Sequence, residues 1–165
     1  LLCNDHFEGV CGLRKREEYI SYLEKSQEEL GKLIEKLCWN EDRFIRGFTE
    51  AGEIIGQRTD PEANMWLNPQ SWAVISGLAT KEQSELALEQ VYERLNTEYG
   101  AILMDPPYHA HAFDGALAVI YNAGTKENAG IFFSVTGMDH FGRSINGTWR
   151  KSIWLLYGKC SGCTE

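Results

Sequence analysis

The first third of the chain carries apolar residues with a helical period. From Glu17 to Leu37 they recur at steps of three, four and seven, with Glu and Lys between them; these residues are Ile20, Leu23, Leu30, Ile34 and Leu37. Side chains at this spacing lie on one face of an α-helix. The pattern predicts one long amphipathic helix with one buried stripe.

The period changes after this helix. Phe44, Gly47 and Phe48 stand among polar residues, and Glu50-Ala-Gly52-Glu is typical of a turn between two short extended pieces. We expect a small hairpin or bulged loop there.

Two more helices are indicated farther along. The segment 68–79 starts with Asn-Pro, a common helix start, and continues as an apolar run, which predicts a mostly buried helix. Thr80 and Gln83 have the spacing of a capping box, and the helix that they open is expected to end near Tyr99-Gly100. "AILMDPPY" then predicts a short buried strand or extended segment that ends in a rigid turn. Helix pairs joined by elaborate loops favour a mainly α fold, a helical barrel with its chemistry in the loops at one end.

Composition narrows the class of ligand and the expected location. The 165 residues are long enough for one globular domain, and their formal net charge of -8 disfavours a nucleic-acid surface, which needs clustered Lys and Arg. No apolar run approaches the roughly 18 residues of a membrane span, and the start does not resemble a signal peptide. We therefore expect no nucleic-acid or membrane partner and a cytoplasmic location.

Asp105-Pro-Pro-Tyr108 is the first motif that could carry chemistry. It matches the D-P-P-Y of amino-group DNA methyltransferases, in which the aromatic ring stacks on a flipped base. That chemistry also needs a glycine-rich loop, which "FEGVCG" imitates only weakly, and the acidic charge is unfavourable for DNA. The alternative, a rigid turn that places Tyr108 in a pocket, is the preferred interpretation.

Three other groups of residues have a chemical and a purely structural interpretation. His109-x-His111 with Asp114 could offer two imidazoles and a carboxylate to a metal, but loop histidines are usually plain polar residues, and no metal site is predicted. Trp39, Trp66 and Trp72 could stack on sugar faces as in a helical carbohydrate-binding module; a core position is favoured for Trp72, and Trp66 stays open. Lys126-Glu127-Asn128 could bind hydroxyl groups from several directions or form a solvated turn.

Taken in order, several segments resemble the glycoside hydrolase family 94 phosphorylases over residues 12–137. They are "LEKSQEELGKLIEKLCWNEDRFIRGFTEAGEIIG", "NPQSWAVISGLA", "VYERLNTEYGAILMDPPY" and "GTKENAGIF". The resemblance implies part of an (α/α)6 barrel and inverting phosphorolysis of a β-glycosidic bond in a disaccharide or oligosaccharide of the cellobiose or cellodextrin type. Inorganic phosphate is then a co-substrate that attacks the anomeric carbon, no cofactor is needed, and the parent is expected to be a homodimer.

The resemblance also assigns site residues. The Lys-Glu pair that contacts the acceptor sugar in the family matches Lys126 and Glu127, and Tyr108 is a further substrate-binding candidate. The phosphate-binding His of the family matches Ser134, so Ser134 is the candidate for the phosphate site and departs from the family pattern. The general-acid Asp is expected upstream of this chain, so the chain alone is expected to be inactive.

The two ends of the chain depart from the resemblance. Residues 138–165 are predicted to be translated out of frame, because a shifted reading resembles what the family places after the "GIF" segment, and residues 1–11 could have the same origin. Cys160 and Cys163 have the spacing of a redox dithiol or half of a zinc site. Since both lie in the suspect tail, no metal or redox function is predicted for them.

Overall fold

The computed structural model describes residues 17–109 and 120–132. Within these ranges the chain forms three helices: α1 (Glu17–Cys38), α2 (Leu67–Ile75) and α3 (Lys81–Arg94). Eight two-residue strands pair as four antiparallel two-stranded ladders. They are β1 (Trp39–Asn40), β2 (Arg43–Phe44), β3 (Gly47–Phe48), β4 (Ile54–Ile55), β5 (Met65–Trp66), β6 (Asn96–Thr97), β7 (Gly100–Ala101) and β8 (Met104–Asp105).

Helix α1 confirms the first predicted helix, but its apolar stripe is only partly covered. Ile20, Leu23 and Ile34 are half-buried, whereas Leu30 and Leu37 are 50% and 51% exposed. The helix approaches the turn between α2 and α3 at Gly31, where an added Cβ would lie 3.8 Å from Leu78 Cδ1. The prediction of one buried stripe is therefore wrong for the described residues, because too few neighbouring elements pack on that face.

Two hairpins follow α1. Strands β1 and β2 pair with Trp39 opposite Phe44, and the two rings meet edge to face with centroids 4.9 Å apart. Strands β3 and β4 pair with Gly47 opposite Ile55, which confirms the hairpin predicted around Glu50-Ala-Gly52-Glu. Gly52 has a φ of 84°, a left-handed conformation that glycine adopts without steric cost.

Helix α2 confirms the buried segment after Asn68 but ends earlier than predicted. It stops at Ile75 because Gly77, with a φ of 69°, takes the left-handed conformation that ends many helices. The core position expected for Trp72 is also wrong, since this side chain is 45% exposed. Gln70, Ser71, Ala73 and Val74 turn inward instead, and position 72 of this short helix faces away from them.

Helix α3 begins with the predicted capping box and ends sooner than expected. The Gln83 N–H donates to Thr80 Oγ1 at 3.2 Å, and the Thr80 N–H donates to Gln83 Oε1 at 3.0 Å. The helix ends at Arg94, not near Tyr99, because Asn96 and Thr97 pair with β7 in a tight hairpin. The buried face of α3 carries Ala87, Leu88 and Val91.

The ladder between β5 and β8 joins the two halves of the described chain. Met65 lies opposite Asp105 and Trp66 opposite Met104, and the Leu67 N–H donates to the Leu103 carbonyl at 2.9 Å. Two apolar clusters flank this ladder. One contains Met65, Leu67, Val91, Leu95 and Ala101, and the other contains Ala63, Trp66, Leu103, Met104, Tyr108 and Ala129.

The described part of the chain is thus a small mixed arrangement of helices and short strands. The (α/α)6 barrel stays a prediction, as does the division into residues 1–11, 12–137 and 138–165, whose outer segments lie outside the described ranges. None of the helices in residues 17–109 and 120–132 combines the length and the apolar character that crossing a membrane requires.

Candidate functional site

The Asp105-Pro-Pro-Tyr108 segment leaves β8 and turns under the surface. The Asp105-Pro106 peptide bond is cis, and the Pro106 carbonyl accepts a hydrogen bond from the Ala63 N–H at 2.7 Å. The Tyr108 side chain is only 6% exposed and packs near Trp66, with ring centroids 6.4 Å apart. Burial, followed by the charges of Asp60 and Glu62, raises the pKa of Tyr108 to about 12.

Lys126 and Glu127 form the tip of a very tight turn. The Asn128 N–H donates to the Thr125 carbonyl and the Gly130 N–H donates to the Lys126 carbonyl, both at 3.0 Å. The backbone is left-handed at Lys126 and at Ala129, with φ values of 46° and 64°. Non-glycine residues adopt this conformation only where the surroundings hold them in it.

Gly130 lets the two arms of this turn approach each other closely. A Cβ at this position would stand 2.4 Å from the Lys126 carbonyl oxygen and 2.7 Å from the Lys126 nitrogen. These distances are far shorter than van der Waals contacts, so the turn excludes any larger residue at Gly130 in this geometry. The Gly130 carbonyl accepts from the Leu103 N–H at 3.0 Å, which fastens the end of the turn to the strand region.

The Asn128 side chain joins this turn to the Tyr108 segment. It is fully buried at 0% exposure, and its Oδ1 accepts from the Tyr108 N–H at 2.8 Å. Its Nδ2 donates to the Tyr108 carbonyl at 2.9 Å and to the Tyr121 carbonyl at 2.8 Å. The carboxamide thus pairs with backbone groups of two other segments, as a neighbouring strand would.

Lys126 and Glu127 are exposed at the outer side of the turn, whereas Asn128 turns inward. The Lys126 ammonium lies over the Tyr121 ring, 4.8 Å from its centroid, a distance that favours a cation–π interaction. The structure therefore separates the three residues of the predicted polar constellation. Two face outward, and the third holds the turn in place.

Charged side chains surround the buried pair Trp66 and Tyr108. The Arg46 guanidinium carbon lies 5.2 Å from the centroid of the Trp66 ring. Glu62 Oε1 accepts from the His109 N–H at 3.1 Å, and Asp60 Oδ2 accepts from the Gly56 N–H at 2.8 Å. Trp66, left open by the sequence, is thus a buried ring beneath an arginine.

A second polar network is centred on Arg43, a residue of β2. Arg43 is 3% exposed; its Nε and Nη2 donate to the two Asp42 carboxylate oxygens at 2.7 and 3.1 Å, and its Nη1 donates to the Asn64 carbonyl at 3.0 Å. Burial alone would raise the pKa of Asp42, but hydrogen bonding and charge from Arg43, together with the charge of Arg58, outweigh burial and lower it. The network ties β2 to the start of β5.

Arg94 continues this support toward the Tyr108 segment. Its guanidinium donates to the Asp105 carboxylate and, at 2.7 Å, to Asn64 Oδ1. The end of α3 is therefore bonded to the strand that leads into the Pro-Pro turn. Sequence reasoning missed both arginine networks, because Asn64, Gln90 and Asp105 are distant in sequence from the arginines that they bond; the local signal was the adjacent Asp42–Arg43 pair.

The structure brings together some of the predicted site residues. Lys126 and Glu127 lie on the turn that Asn128 bonds to the Tyr108 backbone. Ser134, His111 and Asp114 fall outside the described residues, as do Cys160 and Cys163. In residues 17–109 and 120–132, no three His, Cys, Asp or Glu side chains cluster as metal ligands would.

The chain is similar to several disaccharide phosphorylases. It is 39% identical over 101 residues to cellobionic acid phosphorylase from Neurospora crassa, covering 58% of this chain and 13% of that protein. It is 31% identical over 122 residues to N,N'-diacetylchitobiose phosphorylase from Vibrio proteolyticus, covering 73% and 15%. It is 28% identical over 118 residues to 3-O-beta-D-glucopyranosyl-beta-D-glucuronide phosphorylase from Paenibacillus borealis, covering 72% and 15%.

The chain matches only a small part of the length of these relatives, 13% to 15% of each. The match to a family model covers most of this chain. Residues 1–154 match the catalytic domain of the glycosyl hydrolase 94 superfamily. This range contains the Tyr108 segment, the Lys126–Glu127 turn and the three helices. The chain belongs to the glycosyl hydrolase 94 superfamily, as part of its catalytic domain.

Proposed function

We propose that this chain is part of an inverting phosphorylase that cleaves a β-linked disaccharide or oligosaccharide with inorganic phosphate. The observation that carries the proposal is the exposed Lys126–Glu127 pair, held on a turn whose backbone is anchored to the Tyr108 segment. The superfamily match and the phosphorylase relatives support this reaction class. A glucosyl substrate of the cellobiose or cellodextrin type remains the specific proposal.

The chemistry of the pair suits recognition of a sugar. A lysine ammonium donates hydrogen bonds and a glutamate carboxylate accepts them, so the two together can hold sugar hydroxyls in a defined direction. Both side chains are exposed at the tip of the turn. We assign Lys126 and Glu127 to the acceptor sugar, the product that leaves without phosphate. Tyr108 lies beneath the surface, and a direct contact of its ring with substrate stays a prediction.

The proposed reaction needs one carboxylic acid and one phosphate. The acid protonates the glycosidic oxygen while a phosphate oxygen attacks the anomeric carbon from the opposite face, so the sugar 1-phosphate has the inverted, α configuration. Phosphate replaces the water that a second carboxylate would activate in an inverting hydrolase. We propose that no cofactor takes part and that the acid is supplied by a part of the protein outside this chain.

Three further features belong to the same proposal. The parent protein is an (α/α)6 barrel, it forms a homodimer, and it acts in the cytoplasm. The chain on its own lacks the general acid and is inactive. Its three helices and the polar turns between them are compatible with a section of such a barrel, in which loops at one end carry the site.

The methyltransferase interpretation of Asp105-Pro-Pro-Tyr108 has less support. Base stacking requires an accessible aromatic face, whereas Tyr108 is buried among Trp66, Leu103, Met104 and Ala129. Its backbone N–H and carbonyl are both bonded to Asn128. The segment therefore works as an internal support in the described structure.

The proposal is tested by sugar 1-phosphate release from cellobiose and phosphate. The 165-residue chain should give none, and the full-length protein that carries it should turn over. In that protein, Lys126→Ala and Glu127→Gln should raise the KM for the acceptor sugar in the synthetic direction about tenfold or more, with little change in the KM for phosphate. Lys81→Ala, at the exposed start of α3, is the matched control.

Two results would each overturn one part of the proposal. One is turnover by the 165-residue chain alone, which would show that its own residues supply the acid. The other is an unchanged acceptor KM in both Lys126→Ala and Glu127→Gln. Sugar binding by a full-length protein that never releases sugar 1-phosphate would instead indicate a carbohydrate-binding module.

A further inference from the structure

We propose that Asn128 is a positioning residue, which fixes where Lys126 and Glu127 meet the acceptor sugar by bonding their turn to the backbone of Tyr108. The inference rests on the function proposed above, because it assumes that the two exposed side chains contact the acceptor. Asn128 itself turns away from them and has no exposed surface. It acts through the turn and not on the substrate.

The first observation behind this proposal is the set of hydrogen bonds that the Asn128 side chain makes. Its single oxygen accepts from the Tyr108 N–H, and its nitrogen donates to the carbonyls of Tyr108 and Tyr121. Three well-formed bonds at 2.8 to 2.9 Å use both hydrogens of the amide and leave no free donor. Because all three partners are backbone groups, the side chain fixes the turn to the Tyr108 segment and to the chain at Tyr121 that leads into the turn.

The second observation is the backbone conformation of the turn. Lys126 and Ala129 hold left-handed backbone conformations on both sides of the fixed residue, and Gly130 returns within contact of the Lys126 backbone. Such conformations persist only where the surroundings impose them. The buried carboxamide of Asn128, one and two residues from the exposed pair, is the group that imposes them from the Tyr108 side.

The consequence for binding is geometric. Recognition of sugar hydroxyls requires donors and acceptors placed within a few tenths of an ångström, and side chains are held that well only when their supports are rigid. Without the carboxamide, the exposed Lys126 and Glu127 side chains would remain, but the backbone under them would sample more positions. The acceptor would bind more weakly, while phosphate, which they do not contact in this proposal, would not.

Asn128→Asp is the sharpest substitution. Aspartate has almost the same shape but its carboxylate only accepts hydrogen bonds, so it would face the two carbonyls of Tyr108 and Tyr121 with no donor. Asn122→Asp is the matched control, because it makes the same chemical change at an exposed position of the same loop. Both variants are made in the full-length protein that carries this segment.

The kinetic test compares acceptor and phosphate. Asn128→Asp should raise the acceptor KM about tenfold, with the phosphate KM changed by less than about twofold, and Asn122→Asp should change neither. A purely structural role would lower the active fraction, and so the apparent kcat, without separating the two KM values. That second pattern would overturn the inference.

A measurement on the unmutated protein covers the case in which Asn128→Asp does not fold. Hydrogen exchange followed by mass spectrometry should show the Tyr108 amide protected, although Tyr108 lies outside any regular strand, because its N–H is bonded to a buried carboxamide. Rapid exchange of this amide would overturn the inference without any variant.

The same experiments separate the inference from the function on which it rests. If Lys126→Ala leaves the acceptor KM unchanged, the proposed acceptor site is wrong and the role assigned to Asn128 falls with it. If Lys126→Ala raises the acceptor KM but a folded Asn128→Asp does not, the acceptor site stands and only this inference is overturned.

Discussion

Helix α1 and the region of short strands are stabilised in opposite ways. The helix has regular backbone bonds and a clear apolar period, yet Tyr22, Leu30 and Leu33 are half or more exposed. The short strands and turns have hardly any regular structure, yet Arg43 and Asn128 are buried there with their polar atoms bonded, and Gln70 of α2 is buried against the backbone of Phe44. In this chain, therefore, regular secondary structure does not go together with burial and hydrogen bonding of the side chains.

Two buried carboxamides explain how irregular backbone becomes well ordered. Gln70 Oε1 accepts from the Phe44 N–H at 2.7 Å, and its Nε2 donates to the carbonyls of Phe44 and Trp66 at 2.8 and 2.9 Å. Asn128 bonds the Tyr108 segment in the same way. Each amide replaces the strand neighbour that a buried backbone would otherwise lack, and an unpaired buried group would be costly.

Arg43→Met should have the largest effect on stability. Removing the guanidinium leaves the Asp42 carboxylate and the Asn64 carbonyl without their buried donor, so we expect a loss of about 3 kcal/mol in the free energy of unfolding. Urea denaturation measures it. Arg58→Met, at a side chain 55% exposed, should cost less than about 1 kcal/mol. Equal losses would contradict the contrast between buried and exposed arginines.

Gly130→Ala should have the next largest effect. The new methyl group would collide with the Lys126 backbone at 2.4 Å, and we expect a loss of about 2 kcal/mol by urea denaturation, with altered Lys126 and Ala129 backbone shifts by NMR. Gly124→Ala is the control, because it strains a left-handed backbone but meets no atom within 4 Å, and it should cost about 1 kcal/mol. The reverse order would be inconsistent with a turn closed by contact at Gly130.

Acid should weaken the strand region through Asp42. Because its pKa in the folded chain lies below the ordinary value of 3.8, its contribution is fully present above that pH and is lost as the pH falls through the folded pKa. Asp42→Asn should therefore flatten the fall in unfolding free energy below about pH 4, measured by urea denaturation at several pH values. If Asp42→Asn left the fall in unfolding free energy below about pH 4 unchanged, the Asp42–Arg43 pair would not contribute in this way.

The smallest effects should come from α1. Leu30→Ala and Leu33→Ala remove exposed side chains, and each should change the free energy of unfolding of this chain by no more than about 0.5 kcal/mol. Leu88→Ala, at a buried position of α3, should cost about 3 kcal/mol and is the matched control. A large loss at Leu30 or Leu33 would show that this face of α1 is packed after all.

The features that were predictable from the sequence are those with local causes. The capping box needs only Thr80 and Gln83, three residues apart, and the period of α1 is repeated within the helix itself. The hairpin around Gly52 follows from a turn residue between short extended pieces. In each of these cases the interacting residues are close in sequence, so the local residue pattern is enough to predict the structure.

The features that were missed depend on distant partners. Arg43 reaches Gln90, and Gln70 reaches Phe44, across long stretches of chain. The inward direction of Asn128 depends on the Tyr108 backbone and on left-handed residues that are not glycine, which no local signal announces. Trp72 is exposed because the polar Gln70 and Ser71 occupy the interior instead, an exchange that hydrophobicity alone does not predict.

The ladder between β5 and β8 makes the two central helices an insertion between neighbouring points. Leu67 and Leu103 are bonded to each other, so the chain leaves this place, forms α2, α3 and a hairpin, and returns to it. The turn at 77–80 joins the two helices within this insertion. The strand that leads into Tyr108 is therefore held by its pairing with β5, and its position does not depend on the residues that connect the two helices.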